Sequence, residues 1–167
     1  RTDKKPQSKA PMKDSTRILL YSLAGIVLLL MIVLMVLEGR SSRISVRNNS
    51  GKKLEYIRAF FVDSEGPLLE DEMLFEGLNK GDSSQIPMKK IDLSYLQANL
   101  EVRFKFAGQD ELFVDAGYFN EIFKGRIDIE FKEIDDNKIL MKIKAKNGVL
   151  PSPNLLCNEE HVINLAE

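Results

Sequence analysis

The sequence predicts an all-β domain, a single β-sandwich of Ig-like or transthyretin-like type with about seven or eight strands, preceded by one transmembrane α-helix. Two observations carry this reading. The twenty residues from Ile18 to Leu37 hold no charge, no proline and one glycine. Beyond Arg43 the apolar residues switch to a period of two, broken every ~8–12 residues by turn chemistry. No long amphipathic pattern appears after the apolar run.

Residues 1–16, RTDKKPQSKAPMKDST, contain Pro6 and Pro11 and no apolar periodicity. They read as a disordered basic cytoplasmic tail, because such a composition cannot bury enough apolar surface to offset chain entropy. Residues 1–17 carry six basic and two acidic side chains.

Residues 17–38 read as the transmembrane helix. Twenty residues at 1.5 Å rise reach ~30 Å, the thickness of a bilayer hydrocarbon core. The run is apolar on every face, whereas a soluble amphipathic helix keeps a polar stripe. Ile18, Leu19, Leu20, Leu28, Leu29, Leu30 and Leu37 are the expected lipid-facing anchor. A cleaved export signal would be shorter and end in small residues. This run ends in Met35-Val36-Leu37-Glu38-Gly39-Arg40, with no cysteine just beyond to carry a lipid.

Basic residues flank the run on both sides, so their count alone does not orient it. The upstream cations lie in an unstructured tail and several downstream ones inside strand patterns. Folded domains translocate largely regardless of charge. The expectation is therefore a cytoplasmic N-terminus and an extracytoplasmic domain. Gly39 to Ser42 is so short a juncture that the domain must begin close to the bilayer surface.

The β-sandwich is assigned to residues 41–147. Arg43-Ile44-Ser45-Val46-Arg47 alternates, Asn48-Asn49-Ser50-Gly51-Lys52 is a turn by composition, and Leu54–Val62 resumes as a strand. Asn48-Asn49-Ser50 also matches the N-glycosylation pattern, although these residue types are what a hairpin turn uses. Met73–Leu78 and Ser84–Met88 follow as short strands, the latter edged by Pro87. Leu100–Phe106, Arg126–Lys132 and Lys138–Lys144 alternate strictly, with turns at Ala107-Gly108-Gln109-Asp110 and Asp135-Asp136-Asn137. One face of each strand is apolar and the other charged, as a sheet with one buried face requires. Tyr118–Phe123 breaks the period and reads as one helical turn or a packed loop. Residues 148–167 form a Pro-containing extension, which either adds a last edge strand over Val162–Leu165 or trails away.

Residues 41–167 carry 17 basic and 22 acidic side chains, which argues against nucleic acid as a partner. One cysteine, Cys157, and one histidine, His161, leave no disulfide framework and little material for a metal site. Cys157 and His161 are four apart and could make a nucleophile only with an orienting group and an oxyanion hole, to which nothing points. No catalytic residue, cofactor site or metal site is assigned.

The functional expectation is a single-pass, membrane-anchored, non-enzymatic interaction protein in an envelope or membrane protein assembly. Its partners would be the lipid bilayer and other membrane or envelope proteins. The expected contacts are an open sheet edge and the aromatic segment with Tyr118, Phe119, Ile122 and Phe123. The alternative is a tethered receptor whose acidic loop 63–76, with Asp63, Glu65, Glu70, Asp71, Glu72 and Glu76, binds a ligand or ion. Its spacing matches no Ca²⁺ loop.

Overall fold

Side chains that alternate apolar and charged can bury only one face, so such strands must pack in pairs of sheets. The computed structural model describes residues 13–40, 42–88, 91–92, 97–119, 122–147 and 155–165. Residues 1–12 of the expected tail and 148–154 of the expected extension lie outside that set. The chain divides between Leu37 and Glu38 into two units.

The first unit is a helix, α1 (Asp14–Arg40). Its first turn holds Asp14, favourable at a helix N-terminus, and the Lys13 carbonyl accepts from the Thr16 and Arg17 amides. Ser22 donates to the Leu19 carbonyl, 2.9 Å away, so this hydroxyl is satisfied within the helix. Ile18 to Leu37 are exposed on every face. By length and composition α1 is able to cross a membrane.

In the second unit the strands are β1 (Arg43–Asn49), β2 (Leu54–Asp63), β3 (Gly66–Pro67), β4 (Met73–Leu78), β5 (Ser83–Pro87), β6 (Ile91–Asp92) and β7 (Ala98–Phe106). They continue as β8 (Leu112–Phe119), β9 (Ile122–Phe123), β10 (Gly125–Asp135), β11 (Lys138–Asn147) and β12 (Leu155–Asn164). A single 3₁₀ turn, Leu69–Asp71, lies between β3 and β4. Sheet A has the order β12-β11-β10-β1-β5, sheet B the order β3-β2-β7-β8 with β4 also on β2, and β6 pairs with β9. All pairings are antiparallel except β1 with β10, which is parallel.

The buried faces of the two sheets share one core. Phe104 and Phe106 of β7 meet Phe131 of β10 at ring distances of 5.2 and 5.5 Å. Beside them, Phe119 packs edge-on against Phe61 at 5.0 Å and Phe123 at 5.5 Å. Offset and edge-on aromatic packing adds roughly 0.5–1.5 kcal/mol per pair beyond area burial.

Two expectations change. Tyr118–Phe123 is not a helical turn: β8 runs through Phe119, and β9 begins at Ile122. The broken period is a bulge. Ala98 pairs with Phe119 and Leu100 with Ala116, leaving an extra residue on β8, and Gly117 takes φ +68° there. The C-terminal segment does add an edge strand, but a longer one than Val162–Leu165: β12 starts at Leu155 and pairs along β11.

Candidate functional site

The bulge decides the fate of the aromatic segment. Before it Leu112, Val114 and Ala116 point inward; after it Phe119 does, at 0 % exposure. Phe123 is equally buried. Of the four residues expected to contact a partner, Tyr118 faces solvent, Phe119 and Phe123 fill the core, and the side chain of Ile122 is outside the described set. The anchor residues Ile18, Leu19, Leu20, Leu28, Leu29, Leu30 and Leu37 are all exposed.

Two carboxylates of loop 63–76 have local employment. Asp63 accepts from the Glu65 and Gly66 amides at 2.7 and 3.1 Å, closing its own turn. Glu72 pairs with Arg58 of β2. Among the described residues, no group of three His, Cys, Asp or Glu is placed to hold a metal ion.

Cys157 and His161 lie on β12, so an offset of four residues sets them ~13 Å apart along the strand. Burial pushes the Cys157 thiol up to about 12, the nearby Glu159 carboxylate adding to it. The thiol lies 3.7 Å from the Ile143 carbonyl. Glu159 reaches across to β8, accepting from the Gly117 amide at 2.9 Å with one oxygen and meeting His161 Nε2 at 3.0 Å with the other. Glu159, midway between Cys157 and His161, thus fastens the edge of sheet A to the edge of sheet B.

Asn48 is fully buried. Its amide donates to the Lys52 and Leu78 carbonyls, both at 2.9 Å, and its carbonyl oxygen accepts from the Ser50 amide and hydroxyl. The glycosylation pattern is therefore a turn, held by the side chain that a sugar would need.

Two outward faces carry most of the remaining charge. On sheet B, Arg58 and Arg103 stand directly opposite each other. Like charges in that position repel, and each has a carboxylate beside it: Glu72 for Arg58, and Glu101 with Glu111 for Arg103. The Arg103 guanidinium also lies 5.8 Å from the Phe60 ring and 6.0 Å from that of Phe113. Tyr56 donates to Glu111, a bond that raises its phenol above its ordinary value.

On sheet A, β5 is an edge strand with Ser83, Ser84 and Gln85 exposed. Next to it an open depression of ≈490 Å³ is lined by Arg43, Arg47, Ser83, Gln85 and Asp128, among others. The alternation of Arg43 and Arg47 was legible in sequence. That Arg43 stands beside Arg126 was not, because it depends on the parallel β1–β10 pairing. Comparison with protein families, curated proteins and solved structures finds no match to this chain.

Proposed function

We propose that this chain is a single-pass, membrane-anchored, non-enzymatic interaction protein. Its N-terminus lies in the cytoplasm, and its β domain works on the extracytoplasmic face as a component of an envelope or membrane protein assembly. The observation that carries this reading is α1, whose side chains from Ile18 to Leu37 are apolar and exposed all round. Water disfavours such a surface, and hydrocarbon accommodates it. The contact sites are the open edge of β5, where an incoming strand can pair, and Tyr118 at the end of β8.

The same reading takes the domain as a β-sandwich. Of the Ig-like and transthyretin-like types, the second is favoured, because β1 neighbours β10 and β5 while β2 neighbours β7 and β4. The Ig constant arrangement pairs its first strand with its second.

The test is fractionation with alkaline extraction, followed by protease treatment of intact cells. The chain stays with the membrane, and the domain is cut only from outside. Release into the soluble fraction overturns the anchor; protection of the domain in intact cells overturns the orientation. A chain lacking residues 1–40 that retains full function in soluble form overturns the tethered role.

A further inference from the structure

We propose that the outer face of sheet A docks on the phosphate headgroups of anionic lipid in the membrane that holds α1, through the row Arg43, Arg126 and Lys146. The inference rests on the anchor reading above. The parallel pairing of β1 with β10 sets Arg43 opposite Arg126, and the antiparallel pairing of β10 with β11 sets Arg126 opposite Lys146. The positions flanking the row are Pro87 on β5 and Leu155 on β12. Three cations stand side by side with no carboxylate between them.

The same chain shows how it treats such a juxtaposition elsewhere. On sheet B the opposed Arg58 and Arg103 are each neutralised by glutamates. Among the described residues Arg43, Arg126 and Lys146 have no ion-pair partner. Arg43 Nε is buried and without a hydrogen-bond partner. Farther along the sheet the charges balance: Arg47 lies opposite Glu130, Asp128 opposite Lys144, and Lys142 pairs with Glu160 at 2.6 Å. Lys132, toward the other end of β10, also has no ion-pair partner among the described residues, but it stands alone between Asn49 and Leu140, so the Arg43 end is where unpaired cations lie side by side.

That end is where the chain arrives from α1. Arg43 is three residues on from Arg40, a reach of at most ~11 Å whatever the relative orientation of the two units. Arg43, the first member of the row, is thus tethered within reach of the headgroups. A guanidinium fork matches a phosphate in two hydrogen bonds. The ≈490 Å³ depression beside Arg43 leaves room for one, with Arg47, Ser83 and Gln85 on its wall and one carboxylate, Asp128, which accepts from the Ser45 hydroxyl.

The experiment uses the full chain in lipid nanodiscs with a fluorophore on Gln85→Cys, the buried Cys157 staying unlabelled, and a quencher on a minority of headgroups. Quenching is greater with anionic lipid present than with zwitterionic lipid alone, and salt reverses the difference. In the triple variant R43Q/R126Q/K146Q the docked fraction collapses. Arg126→Gln alone lowers the ratio of docked to free roughly fivefold, as expected for one cation near an anionic surface, and carries the test if the triple variant folds poorly. Lys138→Gln, at the far end of β11, leaves it unchanged. Equal quenching on both lipids, or Arg126→Gln matching the parent, overturns the docking face while leaving the anchor intact. Loss of docking to inorganic phosphate at matched ionic strength assigns the row to a soluble anion instead. Failure to enter either bilayer overturns the anchor and this inference together.

Discussion

Asn48 satisfies four polar groups with one amide, two as donor and two as acceptor, at a site with no access to water. Asn48→Ala leaves the Leu78 carbonyl without that donor and the Ser50 hydroxyl without that acceptor. A buried polar group left unpaired costs about 1–3 kcal/mol. We expect Asn48→Ala to lower unfolding stability by about 2–3 kcal/mol in urea titration. A loss under about half a kcal/mol would show the turn holds without its side chain. Cys157 gives a pH prediction. Its thiol, raised by burial to about 12, keeps its proton where the unfolded chain has lost it. Its contribution to stability is therefore complete below the unfolded value of about 8.5 and is lost as pH rises through about 12. Thiol reagents should modify folded Cys157 only as fast as the domain opens, and Cys157→Ser should flatten the alkaline fall of the stability curve.

At the level of elements, β8 reads in sequence as a strand returning from the Ala107–Asp110 turn over Glu111–Asp115, and no farther. Period two fails at Gly117 because a bulge inserts one residue, and a bulge mimics a helical turn to anyone counting apolar spacings. The parallel partner of β1 was equally hidden, since nothing in Arg43–Asn49 distinguishes a neighbour 83 residues away from the next hairpin. The uncompensated basic row stayed invisible for the same reason: its members come from three strands, in a domain whose net charge is acidic. Strict alternation in β7, β10 and β11, by contrast, fixed which face each strand buries. The bulge itself can be tested. A Cβ on Gly117 would sit 2.8 Å from the Phe119 ring and 3.1 Å from Cys157, at φ +68°. Gly81 has φ +86° with open space around it. Gly81→Ala should cost about 1–2 kcal/mol, the conformational penalty alone. Gly117→Ala should cost more by roughly 1–3 kcal/mol of overpacking, read in the same denaturation assay. Equal losses would mean that β8 relaxes around the new methyl group and that the bulge does not hold Phe119 in place.

At the scale of the molecule, the question is whether the two sheets stand or fall together. Phe131 comes from sheet A and touches Phe104 and Phe106 of sheet B. Glu159 ties β12 to β8 at the sheet edges. Among the described residues neither sheet has a second core to retreat to, because the buried apolar side chains of both, Phe60 apart, form one cluster. Phe131→Ala removes a fully buried ring and should cost about 3–5 kcal/mol, a large share of the roughly 5–15 kcal/mol that holds a domain folded. The loss should fall on both sheets at once, as a single cooperative transition. Two probes separate the sheets. Exposure of the Cys157 thiol reports the edge of sheet A, and tyrosine fluorescence in a Tyr21→Phe/Tyr95→Phe background reports sheet B through Tyr56 and Tyr118. In the parent chain, held in neutral detergent for the sake of α1, the two midpoints should coincide. In Phe131→Ala both should move by the same amount. Divergent midpoints would mean that the sheets are separable units, and that a partner docking on the β5 edge need not influence the Arg58–Arg103 face of sheet B.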